Sequence, residues 1–390
     1  MTNSLFVDID CSQEKKHGQN AYGDCYLSKR YPDEGRLIAV LSDGLGSGVK
    51  ANILSNMTAT MLLKFIAAGR DLKKAAKVIM NSLPICQVRK ISYSTFSIID
   101  CNEDGNAKIV EEGNPTFLWI RNNEILEPEV KIVTSSKFEN RKMNTYEIQL
   151  NPNDRLVFCS DGVTQSGLGS PLYKLGWRRA GLIKFIKEIL TNYPDITSRK
   201  LSRLIVEEAR RKEVSLQAKD DISAMVLHFR APRQMMILTG PPYFQNQDKE
   251  YAELLYNFDG KKAICGGTTA NLVARELNLE IKTEIHKDCG NLPACAKMQG
   301  IDLVTEGILT LTQAVDYLEG ATINYKDAAG KLISLLLDSD CIHFMVGAKL
   351  NQAHYDPNLP IELEIRKNII KKMAKILEEK YMKKITVQFI

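Results

Sequence analysis

Leu37-Ile38-Ala39-Val40-Leu41-Ser42-Asp43-Gly44 decides the reading of this chain, because Arg155-Leu156-Val157-Phe158-Cys159-Ser160-Asp161-Gly162 repeats its pattern. Each is an apolar run, too short for a helix and bounded by turn residues, which reads as a buried strand. Each ends in Ser-Asp-Gly. Set side by side, two such strands bring two carboxylates to one rim. Further acids flank strand-like runs: Asp24 after Tyr22-Gly23, and Asp220-Asp221 before Ile222. Crowded carboxylates repel unless a cation neutralises them, and an all-oxygen donor set suits magnesium or manganese. A glycine after the aspartate has no Cβ, so its carbonyl can approach an ion closely. A lone Asp-Gly reads equally as a turn; two matched strands and an Asp-Asp strand start favour a metal site.

Working outward, Ile53, Met57, Met61 and Phe65 recur at i+4 behind the loop 42–48. That spacing predicts a helix over 49–68 with this stripe as one face. A second helix is predicted over 72–81, stopped before Pro84. Strand-like segments follow over 94–100, 107–111 and 116–120. They are separated by turns at Glu103-Asp104-Gly105-Asn106 and Gly113-Asn114-Pro115, and Asn122-Asn123 marks a hairpin. Segments 146–150 and 155–159 flank Pro152-Asn153-Asp154. Helices over 182–190 and 198–211, the latter with Ser198 as N-cap, lead to a last strand over 222–229. Strands, then helices, then a strand point to stacked sheets with helices outside.

Arg230-Ala231-Pro232-Arg233 is the candidate domain joint, which gives domains over 1–230 and 233–390. In the second, apolar runs at 235–238, 262–265, 301–304 and 341–346 alternate with helical segments, an α/β pattern. Ile365, Ile369, Met373 and Leu377 mark a long amphipathic helix over 363–382.

Taken in order, Ser42-Asp43-Gly44-Leu45-Gly46-Ser47-Gly48, Ser160-Asp161-Gly162-Val163 and Lys219-Asp220-Asp221-Ile222-Ser223 resemble the metal-dependent protein phosphatases (PPM, type 2C). The likeness is greatest to their bacterial SpoIIE-like branch, whose early Gly-Asp motif matches Gly23-Asp24 and whose Gly-His or Gly-Asn turn matches Gly113-Asn114. It covers about residues 5–230. The resemblance implies a two-sheet β-sandwich flanked by helices, with two divalent metals, manganese or magnesium, at one edge. It implies Asp43 as the bridging ligand, with the Gly44 carbonyl and Asp24 completing one site and Asp161 and Asp220 the other. Asp221 would support the site from beside it. It implies a metal-activated water hydrolysing phosphoserine or phosphothreonine, with Asp43, Asp161 and Asp220 as the catalytic acids. The implied substrate is a phosphorylated bacterial regulator of the anti-anti-sigma type. Leu45 and Ser47 replace the Met and His of many relatives, and Lys16 and Lys50 are the candidate phosphate grips. The alternative is a catalytically silent sensor or binding module on the same fold, whose mark would be loss of the acids.

Composition excludes other classes. The 390 residues are 44% hydrophobic and 25% charged, an ordinary globular balance that rules out disorder, collagen and coiled coil. A net charge of +5 without a long basic run does not suggest nucleic-acid binding. No uncharged stretch, 51–63 included, is long enough to span a membrane, and residues 1–10 carry no secretory signal, so a cytoplasmic location is expected. Nine cysteines without a C-x-x-C and five dispersed histidines give neither a disulfide framework nor a zinc pattern. The closest cysteine pair, Cys289 and Cys295, is a metal candidate or two free thiols. Gly44-x-Gly46-x-Gly48 lacks dinucleotide spacing, and Cys159 stands where a haloacid-dehalogenase nucleophile would be Asp.

The C-terminal half has one distinctive loop, Cys265-Gly266-Gly267-Thr268-Thr269, between a strand and a helix. Free N–H groups and two hydroxyls there make a site for a small anionic ligand, or a tight turn whose threonines cap the helix. Gly240-Pro241-Pro242 and Thr305-Glu306-Gly307 end two other strands and would line the same crevice. No Walker lysine follows the glycines.

Overall fold

In a computed structural model of the chain, residues 5–82, 94–134, 141–283, 295–348 and 359–390 are described. Pro84 and Cys289 fall outside them, so neither the helix stop nor the cysteine pair is addressed. The chain forms two compact units, Met1–Ala231 and Pro232–Ile390.

The first unit runs β1 (Phe6–Glu14), β2 (Asp24–Tyr31), β3 (Arg36–Gly44), α1 (Gly48–Ala67) and α2 (Leu72–Ser82). Then come β4 (Ser94–Asn102), β5 (Asn106–Glu112), β6 (Leu118–Arg121), β7 (Glu124–Leu126), β8 (Lys131–Thr134) and β9 (Lys142–Gln149). It ends with β10 (Arg155–Cys159), the short α3 (Asp161–Thr164), α4 (Arg178–Asn192), α5 (Ser198–Lys212) and β11 (Ile222–Arg230). The strands make two antiparallel sheets, β1-β11-β10-β6-β7 and β2-β3-β4-β5-β9-β8. α1 and α2 cover one outer face, burying Ile38 and Val40 of β3, while α4 and α5 cover the other over Val157 and Cys159 of β10. Both strands are therefore buried on both faces, which is why each reads as an unbroken apolar run. Phe117 stacks on Phe158 at 5.3 Å and meets Tyr146 edge-on at 5.0 Å, filling the core between the sheets.

Three local expectations change. β3 and β10 do not lie side by side; they belong to opposite sheets. The cap of α5 is Thr197, whose hydroxyl accepts the Lys200 N–H at 3.3 Å. Ser198 is buried instead, giving its N–H to the Asp8 carboxylate at 3.0 Å and its hydroxyl to the Asp8 carbonyl at 2.9 Å. In α1 the Ile53–Phe65 stripe is not the packed face: Ile53 is 59% exposed and Met57 43%, whereas Ala51, Ser55, Thr58, Ala59, Leu62 and Ile66 are buried. The Asn122-Asn123 hairpin is as expected, with φ of 51° and 63°, the left-handed pair its turn type needs.

The second unit runs β12 (Gln234–Thr239), α6 (Asp248–Tyr256), β13 (Lys261–Cys265), α7 (Gly267–Leu277), β14 (Lys282–Thr283), β15 (Ala296–Met298) and β16 (Ile301–Thr305). It continues with α8 (Ile308–Glu319), α9 (Ala328–Asp338), β17 (Cys341–Val346), α10 (Leu359–Glu379) and β18 (Lys384–Phe389). The sheet order is β14-β15-β16-β13-β12-β17-β18, with the five strands from β16 to β18 parallel and an antiparallel edge at β15 and β14. α6 and α7 pack on one face; α8, α9 and α10 pack on the other. The buried stripe of α10 is Ile370, Met373, Ala374 and Leu377, while Ile365 of the expected stripe is exposed.

Candidate metal centre

Antiparallel register sets Asp24, the first residue of β2, directly opposite Asp43 near the end of β3. Asp161 follows β10 at the start of α3, and Asp220 and Asp221 precede β11. The two sheets end at a common rim, so acids from both stand within electrostatic reach. Burial pushes the Asp43 carboxyl up to about 9, and the charges of Asp24, Asp161, Asp220 and Asp221 push the same way. Burial likewise raises Asp24 to about 7, against the hydroxyl of Ser223, which donates to Asp24 Oδ2 at 2.6 Å. Asp161 and Asp221 are also raised, mainly by burial, with Asp220 adding to both. Acids that resist ionisation together call for a cation.

Three glycines let this rim close. A Cβ on Gly44 would stand 2.1 Å from the Ala51 carbonyl oxygen in α1. A Cβ on Gly162 would stand 2.0 Å from the Asp221 carbonyl oxygen, and one on Gly23 2.6 Å from Asp221 Oδ2. The glycine in each Ser-Asp-Gly is thus needed for backbone packing: Gly44 seats α1 behind Asp43, and Gly162 seats Asp161 against the start of β11. Asp221 acts as the knot. Its Oδ2 accepts the Gly23 N–H at 2.9 Å and its Oδ1 the Lys16 N–H at 3.2 Å. Gln165 Nε2 donates to Asp161 Oδ2 at 2.8 Å.

Among the described residues no three His, Cys, Asp or Glu side chains stand close enough together to enclose an ion. The register and the shared field nevertheless bring the sequence-predicted acids to one place. The donor set fits a hard divalent cation: oxygen only, with several negative charges. Cys159 is buried in β10 with its thiol pushed up to about 12, which makes it core rather than nucleophile. Sequence reasoning missed Ser223 and Gln165, the donors that orient Asp24 and Asp161; the first is brought there by contact across the rim, while the second sits one turn after Asp161, a spacing the sequence does show.

The family model of stage II sporulation protein E (SpoIIE) matches residues 33–230. The chain belongs to the SpoIIE family. It is 27% identical over 252 residues to the stage II sporulation protein E of Bacillus subtilis (strain 168), covering 64% of this chain and 29% of that protein. The protein of the same name from Priestia megaterium is 26% identical over 227 residues, covering 58% of this chain and 37% of the relative. The chain therefore spans well under half the length of these two relatives. The solved phosphatase domain of the cell fate determinant SpoIIE from Bacillus subtilis is 22% identical, with a TM-score of 0.45 over 58% of this chain and 94% of that one. The resemblance seen in the motifs and the family match agree on a SpoIIE-like member of the metal-dependent phosphatases, with the match falling on the two-sheet unit. No helix among the described residues is long and apolar enough to cross a membrane.

Proposed function

We propose that residues 1–230 act as a metal-dependent protein serine/threonine phosphatase. The observation that carries this is the convergence of Asp24, Asp43, Asp161 and Asp220 at one rim, with Asp43 feeling every other acid there. The presence of all four acids argues against the silent sensor. Bound there, two divalent ions, manganese or magnesium, would supply charge neutralisation and an activated water for in-line attack on phosphorus. Asp43 would help to hold both. Asp24 and the Gly44 carbonyl would hold one ion, and Asp161 and Asp220 the other. Ser223 keeps Asp24 oriented, and Gln165 keeps Asp161 oriented. Asp221 serves from beside the site, since both its oxygens pin the backbone that carries Gly23 and Lys16. The substrate we assign is a phosphorylated regulatory protein of the anti-anti-sigma type, acted on in the cytoplasm.

The test is turnover of an aryl phosphate and a phosphoserine protein with manganese, with magnesium and in EDTA. Activity should require the metal, and Asp43→Asn should lower it by ~100-fold or more while the variant stays folded, since the change also relieves repulsion. Full turnover in EDTA would overturn the reading.

A further inference from the structure

The parallel strands of the second unit run in the order β16-β13-β12-β17-β18, a doubly wound arrangement whose ligands bind beyond the carboxyl ends of the strands. Backbone fills the Gly240-Pro241-Pro242 turn there, since a Cβ on Gly347 would stand 2.1 Å from the Pro241 oxygen and 2.3 Å from the Gly240 oxygen. The loop expected to take an anion opens α7 from Gly266; Gly267 and Thr268 are exposed, Thr269 is buried, and neither threonine caps the helix. A helix start alone selects no ligand, and the more unusual surface lies beside the acid rim of the first unit.

Two segments flank that rim. Residues 166–177 continue the chain from Asp161 and α3, and residues 214–219 lead into Asp220. The first is a compact loop whose ends meet: the Trp177 N–H donates to the Ser166 carbonyl at 2.9 Å, and a Cβ on Gly176 would stand 2.8 Å from the Thr164 oxygen. The two segments lie against each other. Lys219 Nζ donates to the Leu168 carbonyl at 2.9 Å, and a Cβ on Gly167 would stand 2.8 Å from the Lys212 oxygen. Lys212 Nζ in turn lies 5.4 Å from the Tyr173 ring and 5.6 Å from the Trp177 ring. A loop so anchored could turn its leucines inward, yet it does the reverse. Leu172 is 87% exposed and Leu175 68%; Leu168 is exposed as well, and Val214 and Leu216 of the other segment join them. Single exposed apolar residues are ordinary, but five on two adjoining segments form an interaction surface. Ser215 and Leu216 both hold a φ of 58°, a left-handed backbone that leucine avoids, and Leu216 gains no burial in return. Charge around the patch has one sign. Residues 166–178 and 214–219 contain Lys174, Arg178 and Lys219 and no Asp or Glu, and none of these cations has an ion pair among the described residues.

We propose that this patch seats the substrate protein, through an acidic segment with apolar side chains beside its phosphorylated serine or threonine. The exposed leucines and Val214 take the apolar side chains, and Lys174, Arg178 and Lys219 take the carboxylates. Asp161 and Asp220, which the two segments adjoin, are assigned to one ion, so a segment seated here presents its phosphoryl group to that ion; in this the inference rests on the phosphatase reading. The test uses the full chain and two synthetic phosphoserine peptides, one flanked by leucine and glutamate, the other with lysine for each glutamate. Binding is read in EDTA by fluorescence anisotropy, and turnover with manganese is read against an aryl phosphate. The wild-type chain should bind the glutamate peptide ~10-fold more tightly than the lysine peptide, a preference that fades with salt. Leu172→Ser should weaken binding of both peptides and lower the ratio of peptide to aryl phosphate turnover by ~10-fold. Lys174→Glu should shift the preference ~10-fold toward the lysine peptide. Both positions are exposed, so the fold should survive either change. The proposal is overturned if the wild-type chain binds the peptides equally or not at all, or if neither variant changes affinity or the turnover ratio. It is also overturned if Leu172→Ser breaks up a dimer in sedimentation with peptide affinity intact, since the patch would then seat a second copy. Peptide binding as expected, with no hydrolysis of any substrate in manganese, would overturn the phosphatase reading and leave the docking surface in place.

Discussion

At the edge of the N-terminal sandwich, strands from two sheets end in carboxylates; at the edge of the C-terminal sheet, β12 and β16 end in threonines on either side of β13, where α8 begins. The acid rim holds acids whose burial, and then mutual repulsion, raise their proton affinity. The threonine rim holds neutral hydroxyls, two of which, on Thr239 and Thr310, have no hydrogen-bond partner among the described residues. Only the acid rim carries charge that calls for a counter-ion; a hydroxyl can donate or accept and carries none. Glycine also serves them differently. At the acid rim Gly44 and Gly162 are wedged against backbone, whereas at the threonine rim Gly267 faces open space.

The comparison breaks most visibly with pH. Asp43 is held up to about 9 and Asp24 to about 7, from an ordinary 3.8. Between those values the folded chain binds more protons than the unfolded one, so the free energy of unfolding falls as pH rises through the window. In EDTA, denaturant melts at about pH 5 and about pH 9 should differ by at least about 2 kcal/mol, with the alkaline form weaker. Manganese should restore the loss, and Asp43→Asn should flatten the slope. A metal-free chain equally stable at both pH values would show that the acids do not confront one another.

A sharper contrast comes from alanine at the glycines. Gly44→Ala and Gly162→Ala drive a Cβ into a carbonyl that belongs to a packed element, and should cost about 1–3 kcal/mol or more. Gly267→Ala should change stability by less than about 0.5 kcal/mol. Equal losses at the three positions, read from urea midpoints, would erase the difference between the rims.

Much of this was legible in the sequence, for physical reasons. Strands buried on both faces advertise themselves, so β3, β10, β11 and the parallel strands from β12 to β17 are plain. The acids were found because each sits at a strand end. Their arrangement was not, because one local pattern in two places does not say whether the strands share a sheet. β10 pairs with β6 and β11, and β3 with β2 and β4. The packing role of Gly44 and Gly162 gives no sequence signal, since a near contact with Ala51 or Asp221 exists only once distant segments meet. Thr239 and Thr310 gave no signal at all: an unpartnered hydroxyl is a property of packing, and a threonine in sequence is ordinary.

α1 shows how the same limit operates within one helix, and it yields the smallest predicted effect. Ile53, Met57, Met61 and Phe65 make the more hydrophobic stripe, yet the face turned to β2 and β3 is Ala51, Ser55, Thr58, Ala59, Leu62 and Ile66. The reason is distance. With Gly44 against the Ala51 carbonyl, the first turns of α1 lie too close to the sheet for large side chains, and only beyond them does the gap admit Leu62 and Ile66. Small residues therefore win the buried face despite their lower hydrophobicity, because close packing needs matched volume as well as apolar surface. Ile53→Ser and Met57→Ser should shift stability by no more than about 0.5 kcal/mol, as surface changes do, while Leu62→Ala should cost about 2–5 kcal/mol. If the serines cost as much as the core alanine in urea melts of the full chain, the stripe read from spacing is the packed face after all, and α1 is seated on the sheet with the opposite side inward.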